Sequence, residues 1–255
     1  MSAPIWLLGC GNMGGALLRR WVAEDMGPVA VIDPVAKDLP AGVEAYAVPP
    51  VGRPDVLVLA VKPQIWREAA AAVAAVTGPM TLVVSVMAGV TTADLASVFP
   101  KSAIVRAMPN TPAAIGMAVT ALFTTAGDLA EGAAEALFGP AGTTVWLSDE
   151  GDFDAVTAVS GSGPAYVFAF IEALAAAGVA AGLEAGLAER LARGTVSGAA
   201  ALAVVDSTPA GVLRERVTSP GGTTAAGLAV LVPGLGELVT AAVAAAAARS
   251  RGLSG

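Results

Sequence analysis

Six consecutive residues late in the chain, Ser219-Pro220-Gly221-Gly222-Thr223-Thr224, combine three hydroxyls with one proline and two glycines, just ahead of the helix-like run AAGLAVL. Pro220 fixes φ, and Gly221 and Gly222 carry no side chain to block an approach. Consecutive backbone N–H groups can then face one small space in front of a helix N-terminus, which is an arrangement that binds an anion. A carboxylate fits it without an arginine, and Thr223 and Thr224 add hydroxyls that donate as well as accept. The competing reading is an ordinary helix N-cap behind a Pro-Gly turn, for which a single hydroxyl suffices.

At the other end of the chain, GCGNMG (residues 9–14) fits G-x-G-x-x-G between a strand-like run and a helix-like run. In that setting Gly9 permits a tight turn, Gly11 lets the backbone approach a pyrophosphate, and Gly14 allows close helix–strand packing. Asp33 follows Gly14 by nineteen residues at the end of the next strand-like run. An acid there hydrogen-bonds the ribose hydroxyls of NAD and repels a 2′-phosphate; otherwise it is a strand-end cap ahead of Pro34. Lys37 lies close enough in sequence to favour NADP instead. Three further strand-end loops, AVKPQ (60–64), VMAGV (86–90) and MPNTP (108–112), consist mainly of small or rigid residues. Such loops allow backbone to pass close to a ligand beyond the carboxyl ends of the strands. Lys62 either faces the cofactor or is solvated. The Asn110 amide either meets a nicotinamide carboxamide or holds a turn between two prolines. Cys10 reads as packing beside the glycine turn.

The 255 residues include no histidine. This excludes a Ser-His-Asp triad, a histidine proton relay and a histidine metal site within one chain, and no metal is expected. A single cysteine excludes an internal disulfide. A net charge of −7 argues against nucleic acid as a partner. Hydrophobic residues make up 55% of the chain, which raises the question of a membrane. However, TGP interrupts the uncharged run 69–93 and MPNTP the run 107–127, so neither supplies the roughly 20 uninterrupted apolar residues of a spanning helix. Gly9 and Gly11 also cut short the N-terminal apolar run, and no basic residue precedes it. The expectation is a soluble, cytoplasmic protein with large buried surfaces, and an oligomer.

The elements that position these residues follow from periodicity. PIWLLG, VAVID, DVLVLAV, MTLVVSV, AIVRAM and MAVTALF read as strands, with helices such as 13–24 and 64–76 between them. The alternation predicts a mostly parallel sheet covered on both faces. Past DEGDFD (149–154) the chain becomes alanine-rich and helical, over 164–183, 183–205 and 237–251, with breaks at glycine or proline. Pro164 suits a first turn, with Ser160 or Ser162 as its cap. Up to Leu183 that helix has only Glu172 as a charge. A helix apolar on nearly all sides is buried on nearly all sides, so it is expected in a subunit interface. The predicted fold is an α/β Rossmann-type domain over 1–151 followed by an all-α dimerisation and substrate-binding domain over 152–255.

Five stretches together, GCGNMGGA (9–16), LAVKPQ (59–64), MPNTPAAIGMA (108–118), SGSGPAY (160–166) and VTSPGGTTAAGL (217–228), resemble pyrroline-5-carboxylate reductase, the last enzyme of proline biosynthesis. They occur in family order from end to end, and SGSGPAY with TSPGGTT is far more specific than the dinucleotide turn. The resemblance implies hydride transfer from NADPH or NADH to the C=N carbon of 1-pyrroline-5-carboxylate, giving proline. It also implies a homodimer interlocked through the helical domains, with such dimers able to assemble into a ring. Carried over by position, Leu8, Gly9, Cys10, Gly11, Asn12, Met13 and Gly14 would hold the pyrophosphate. Ala60, Val61, Lys62 and Pro63, with Met87, Ala88 and Gly89, would line the nicotinamide half. Ser219, Gly222, Thr223 and Thr224 would hold the substrate's carboxylate and ring nitrogen, with Thr224 as the nitrogen's partner. The chain departs from the family at Met87, where alanine is frequent, at YAVPP (46–50), where a polar residue is frequent, and at Asp33, where some NADPH-preferring members carry a small hydroxyl residue.

Two other functions fit parts of the pattern. A β-hydroxyacid dehydrogenase needs a lysine in its helical domain, and the three lysines here are Lys37, Lys62 and Lys101. A related imine reductase, or a non-catalytic NAD(P)-binding sensor, would share the glycine turn. Arg214 and Arg216 read as a solvated helix face, and Tyr166 as packing.

Overall fold

The computed structural model describes residues 4–252. The described chain divides into two compact units, one of residues 4–162 with 246–252 and the other Gly163–Ala245.

The first unit is built on one sheet of strands β1 (Ile5–Leu8), β2 (Val29–Ile32), β3 (Glu44–Tyr46), β4 (Val56–Leu59), β5 (Leu82–Ser85), β6 (Ala103–Met108), β7 (Ala118–Thr124) and β8 (Gly142–Trp146). Their order is β3-β2-β1-β4-β5-β6-β7-β8. The first six run parallel; β7 is antiparallel to β6, and β8 is parallel to β7. The order 3-2-1-4-5-6 is that of the dinucleotide-binding fold, and it reverses direction at β1 and β4.

Successive strand residues face opposite sides of a sheet, and here both sides are covered. Ile5 and Leu7 join Leu17, Leu18 and Trp21 of helix α1 (Asn12–Ala23) and Leu137 and Phe138 of α4 (Asp128–Phe138). The buried Trp21 indole N–H donates to the Leu137 carbonyl at 2.8 Å, tying α1 to the end of α4. Trp6 and Leu8 instead join Trp66, Ala70 and Val73 of α2 (Trp66–Ala74), Leu95 of α3 (Thr92–Val98) and Phe99. Two-sided burial explains why the central strands are continuous apolar runs.

Strands β3 and β8 are absent from the elements expected above. β3 is three residues, with Glu44 and Ala45 exposed and Tyr46 half-buried, and pairing with β2 gives it its form. β8 alternates half-buried and exposed residues at the sheet edge.

Past β8 the chain does not start the capped helix expected at Pro164. Helix α5 (Phe153–Val156) continues through a π turn, Thr157–Gly161, into α6 (Gly163–Ala180). The Ser162 N–H reaches back five residues to the Thr157 carbonyl at 2.8 Å, so neither Ser160 nor Ser162 acts as an N-cap. Single π turns of this kind recur at functional sites.

In the second unit, α6 packs on α7 (Ala185–Val205), where Ala188 and Ala192 are buried. A Cβ on Gly178 would stand 3.2 Å from that of Ala188, so the two helices approach through small residues. α8 (Ala210–Arg216) and α9 (Thr223–Arg251) follow, the end of α9 from Ala246 belonging to the first unit. The expected break before 237 does not occur: α9 runs through Pro233. Residues around it are exposed, so the carbonyl that loses its helical N–H partner is not sealed in a core.

Helix α6 has no buried residue, and Phe168 is 64% exposed, Val204 82% and Leu238 71%. A lone domain does not leave apolar surface of this extent to water. Two continuous helical stretches, Glu150–Ala180 and Thr223–Arg251, are long and apolar enough to cross a membrane by length and composition alone. The runs 69–93 and 107–127 are broken at TGP and MPNTP, as expected. The two long apolar helices lie elsewhere, and run through the glycines of SGSGPAY and through Pro233, which were expected as breaks.

Candidate active site

In the first unit, a cleft of about 710 Å³ opens at the carboxyl ends of the strands around β1. Leu8, Gly9 and Gly11 form its floor, Asp33 one end, and Ala60, Val61 and Lys62 the far side. The three motif glycines have separate reasons to be bare. Gly9 has φ +93°, and a Cβ there would lie 2.8 Å from the Ala60 carbonyl oxygen. A Cβ on Gly14 would lie 2.3 Å from the Gly9 carbonyl oxygen, so α1 sits directly on the turn. A Cβ on Gly11 would meet no protein atom within 4 Å; its bareness leaves the cleft open.

Gly11 is the N-cap residue of α1 and makes no side-chain cap hydrogen bond. The Gly15 N–H donates to the Gly11 carbonyl at 2.8 Å, so the amides of Asn12, Met13 and Gly14 precede the first intrahelical bond. Unsatisfied amides at a helix N-terminus, with the helix dipole behind them, suit a diphosphate. The residues present thus fit a dinucleotide.

Asp33 takes one of the two roles open to it, the strand-end cap, together with a bond to the glycine turn. Its Oδ1 accepts from the Val35 N–H at 2.9 Å, capping the strand end, while its Oδ2 accepts from the Cys10 N–H at 2.8 Å. Burial, and then the Asp33 charge, push the Cys10 thiol above its usual range, with Arg19 opposing. A thiol held protonated is a poor nucleophile. Cys10 is accordingly expected to react with iodoacetamide at pH 7.5 more slowly than free glutathione; a faster reaction, followed by mass spectrometry, would contradict this.

Of the other sequence candidates, Met87 is buried in the core face that carries α2 and α3. Ala88 packs near Met108 and Phe153, and Gly89 takes φ +76°. Asn110 is engaged on both sides of its amide. Its Oδ1 accepts from the Val119 N–H at 3.1 Å, and its Nδ2 donates to the Ser160 carbonyl at 3.2 Å. It therefore joins MPNTP to the π turn of SGSGPAY. The cleft also uses residues that the sequence did not single out as ligand contacts: Ala47, Val48 and Pro49 after β3, and Ile65 and Glu68 at the start of α2. Recognising β3 would have pointed to the first group, since the loop after a strand beside β2 borders the same cleft.

In the second unit, Ser219–Gly222 form a tight turn closed by the Gly222 N–H on the Ser219 carbonyl at 3.0 Å. Pro220 stands at its second position and Gly221, with φ +69°, at its third, as a type II turn requires. A Cβ on Gly222 would lie 2.4 Å from the Ser219 hydroxyl. The first intrahelical bond of α9 runs from the Ala226 N–H to the Gly222 carbonyl at 3.1 Å. The amides of Thr223, Thr224 and Ala225 therefore precede it. Ser219, Thr223 and Thr224 are all exposed. Arg216 pairs with Asp206 at 3.0 Å, which removes it as a free anion ligand.

A sequence model described as pyrroline-5-carboxylate reductase dimerisation matches residues 150–253, and one described as NADP oxidoreductase coenzyme F420-dependent matches residues 4–89. The chain is 38% identical to a pyrroline-5-carboxylate reductase of Pseudomonas aeruginosa, over 100% of this chain and 98% of that protein. The chain belongs to the pyrroline-5-carboxylate reductase family. An Arabidopsis thaliana member is 39% identical over 99% of this chain and 96% of its own. Among solved structures, the pyrroline-5-carboxylate reductase of Coxiella burnetii superposes with a TM-score of 0.90 at 34% identity, covering 100% of both chains. The Plasmodium falciparum pyrroline carboxylate reductase, solved with NADP bound, gives 0.85 at 27% identity over 99% of this chain and 98% of that one. The first unit thus carries an NAD(P)-binding domain, and the exposed helices fall within the family's dimerisation region.

Proposed function

We propose that the Ser219–Thr224 turn of this NAD(P)H-dependent pyrroline-5-carboxylate reductase grips the substrate's carboxylate with main-chain amides. The enzyme belongs to proline biosynthesis. The single observation behind the proposal is the type II turn, whose Gly221 takes φ +69° and leads into the unsatisfied amides opening α9. These amides and the dipole of a 29-residue helix favour a negative group. Ser219, Gly222 and Thr223 line this seat, and the Thr224 hydroxyl accepts from or donates to the ring nitrogen.

When bound in the cleft of the first unit, NAD(P)H supplies the hydride that reduces the imine carbon. The amides of Asn12, Met13 and Gly14 would hold its pyrophosphate, with Leu8, Gly9, Cys10 and Gly11 shaping the floor. Ala60, Val61, Lys62 and Pro63 border it. Met87, Ala88, Gly89 and Asn110 support the same carboxyl edge of the sheet through backbone and packing. No general acid is needed if the imine arrives protonated; otherwise Thr224 or a water held by it returns the proton. A β-hydroxyacid dehydrogenase is disfavoured because residues 102–255 contain no lysine.

The apolar helices of the second unit are the homodimer surface, and dimers of this kind can close into a ring. A cytoplasmic location follows from the same reading. In the assay, Thr224→Ala is expected to lower kcat about tenfold or more, the scale of one lost hydrogen bond to a reacting, charged group. Unchanged kcat and KM with 1-pyrroline-5-carboxylate would remove Thr224 from the reaction.

A further inference from the structure

We infer that this chain selects NADH over NADPH, and that Asp33 makes the choice. The inference rests on the dinucleotide reading of the cleft around β1. Its first support is the rigidity of Asp33. One oxygen is fixed by the Cys10 N–H at 2.8 Å and the other by the Val35 N–H at 2.9 Å. A carboxylate offers about four acceptor sites, so each oxygen keeps capacity for a ribose hydroxyl. Turning the side chain away to admit a phosphate would break both bonds, and one of them supports the glycine turn itself.

The second support is the composition of the surrounding wall. Near Asp33 the cleft is lined by Pro34, Val35, Ala47, Val48 and Pro49. These side chains offer a phosphate neither a charge nor a hydroxyl. Lys62 is the cation among the described residues lining the cleft, but it follows β4, which lies two strands from β2 across β1. At strand spacing that separation is about 10 Å. Glu68 adds a second carboxylate to the lining. Lys37, which in sequence could have favoured NADP, is exposed and does not line the cleft.

A 2′-phosphate adds a charge of about −1.5 to −2. Arg19 acts on Cys10 from α1 but does not line the cleft. Beside a fixed carboxylate, and with no cation among the described residues lining that end, the phosphate is repelled, whereas the two free ribose hydroxyls of NADH are matched to an acceptor. The Plasmodium falciparum relative was solved with NADP bound, so the preference lies in these residues and not in the fold.

The test is isothermal titration of the full-length protein with NADH and with NADPH. NADH is expected to bind at least about tenfold tighter, and Asp33→Ser to narrow or invert that ratio. Because Asp33→Ser also loses the bond to Cys10, ADP-ribose and 2′-phospho-ADP-ribose are titrated against the unaltered protein as well. The unphosphorylated ligand is expected to bind tighter by a similar factor. Equal or tighter binding of the phosphorylated member of either pair overturns the inference while leaving the dinucleotide cleft intact. Binding of neither cofactor overturns the inference and the cleft reading together. Lys37→Ala is expected to leave the ratio unchanged, and a loss of NADPH affinity there would overturn the assignment to Asp33.

Discussion

Gly14→Ala is expected to abolish usable cofactor binding, weakening NAD(P)H by about 100-fold or more, and to destabilise the protein by about 2 kcal/mol. The added Cβ would stand 2.3 Å from the Gly9 carbonyl oxygen and 3.2 Å from the Ala60 Cβ. Neither neighbour is the tip of a flexible side chain, so α1 must lift off the turn. Alanine's better helix propensity, about 1 kcal/mol over glycine, opposes this and is outweighed. Gly11→Ala separates binding from folding. Its Cβ meets no protein atom within 4 Å, and its φ of −73° suits any residue. The methyl would project toward the space a diphosphate needs. Thermal unfolding of Gly11→Ala is therefore expected to match the unaltered protein while fluorescence titration shows weakened NAD(P)H. Equal melting temperatures for both variants would contradict the steric account of Gly14.

Arg106→Ala is expected to cost about 3 kcal/mol in equilibrium urea unfolding, the scale of removing one partner from a buried ion pair. Arg106 is 5% exposed, its guanidinium donates to Glu150 Oε1 at 3.0 Å, and it lies 4.1 Å over the centre of the Phe153 ring. Glu150 also accepts from the Thr92 amide and hydroxyl at 2.8 and 2.7 Å. One arginine on β6 thereby anchors the start of α5 and fastens it to the N-terminus of α3. The Arg106 Nε has no hydrogen-bond partner, so the side chain is not fully satisfied even in place. Without it, Glu150 loses its counter-charge while remaining partly sheltered, and Phe153 loses its stacking partner. A loss under about 1 kcal/mol would show that the Thr92 bonds suffice.

The glycine turn and the strands beside it were legible because one physical demand fixes each residue type. Gly9 needs a positive φ, Gly14 needs room, and buried parallel strands need unbroken apolar runs. β3 was not legible, since Glu44-Ala45-Tyr46 has no pattern of its own and takes extended form by pairing with β2. The wall formed by Ala47, Val48 and Pro49 was missed as a ligand contact for the same reason. The bend at SGSGPAY read as a helix start because serine and proline mark N-termini. In the structure a bond five residues long carries the helix through it. Pro233 misled similarly: in an exposed helix the freed carbonyl is no buried orphan, so α9 continues. The Ser219–Thr224 turn was legible as a turn from Pro-Gly chemistry. The proposal that it is a carboxylate seat leans on resemblance, because amides that bind an anion and amides that merely open a helix have the same sequence.

A crystal structure with L-proline bound decides between those two kinds of amide. The proline carboxylate is expected within hydrogen-bond distance of the main-chain N–H groups between Gly222 and Thr224, with its ring nitrogen at the Thr224 hydroxyl. A carboxylate held instead by an arginine side chain, with the amides opening α9 facing only water, would contradict this.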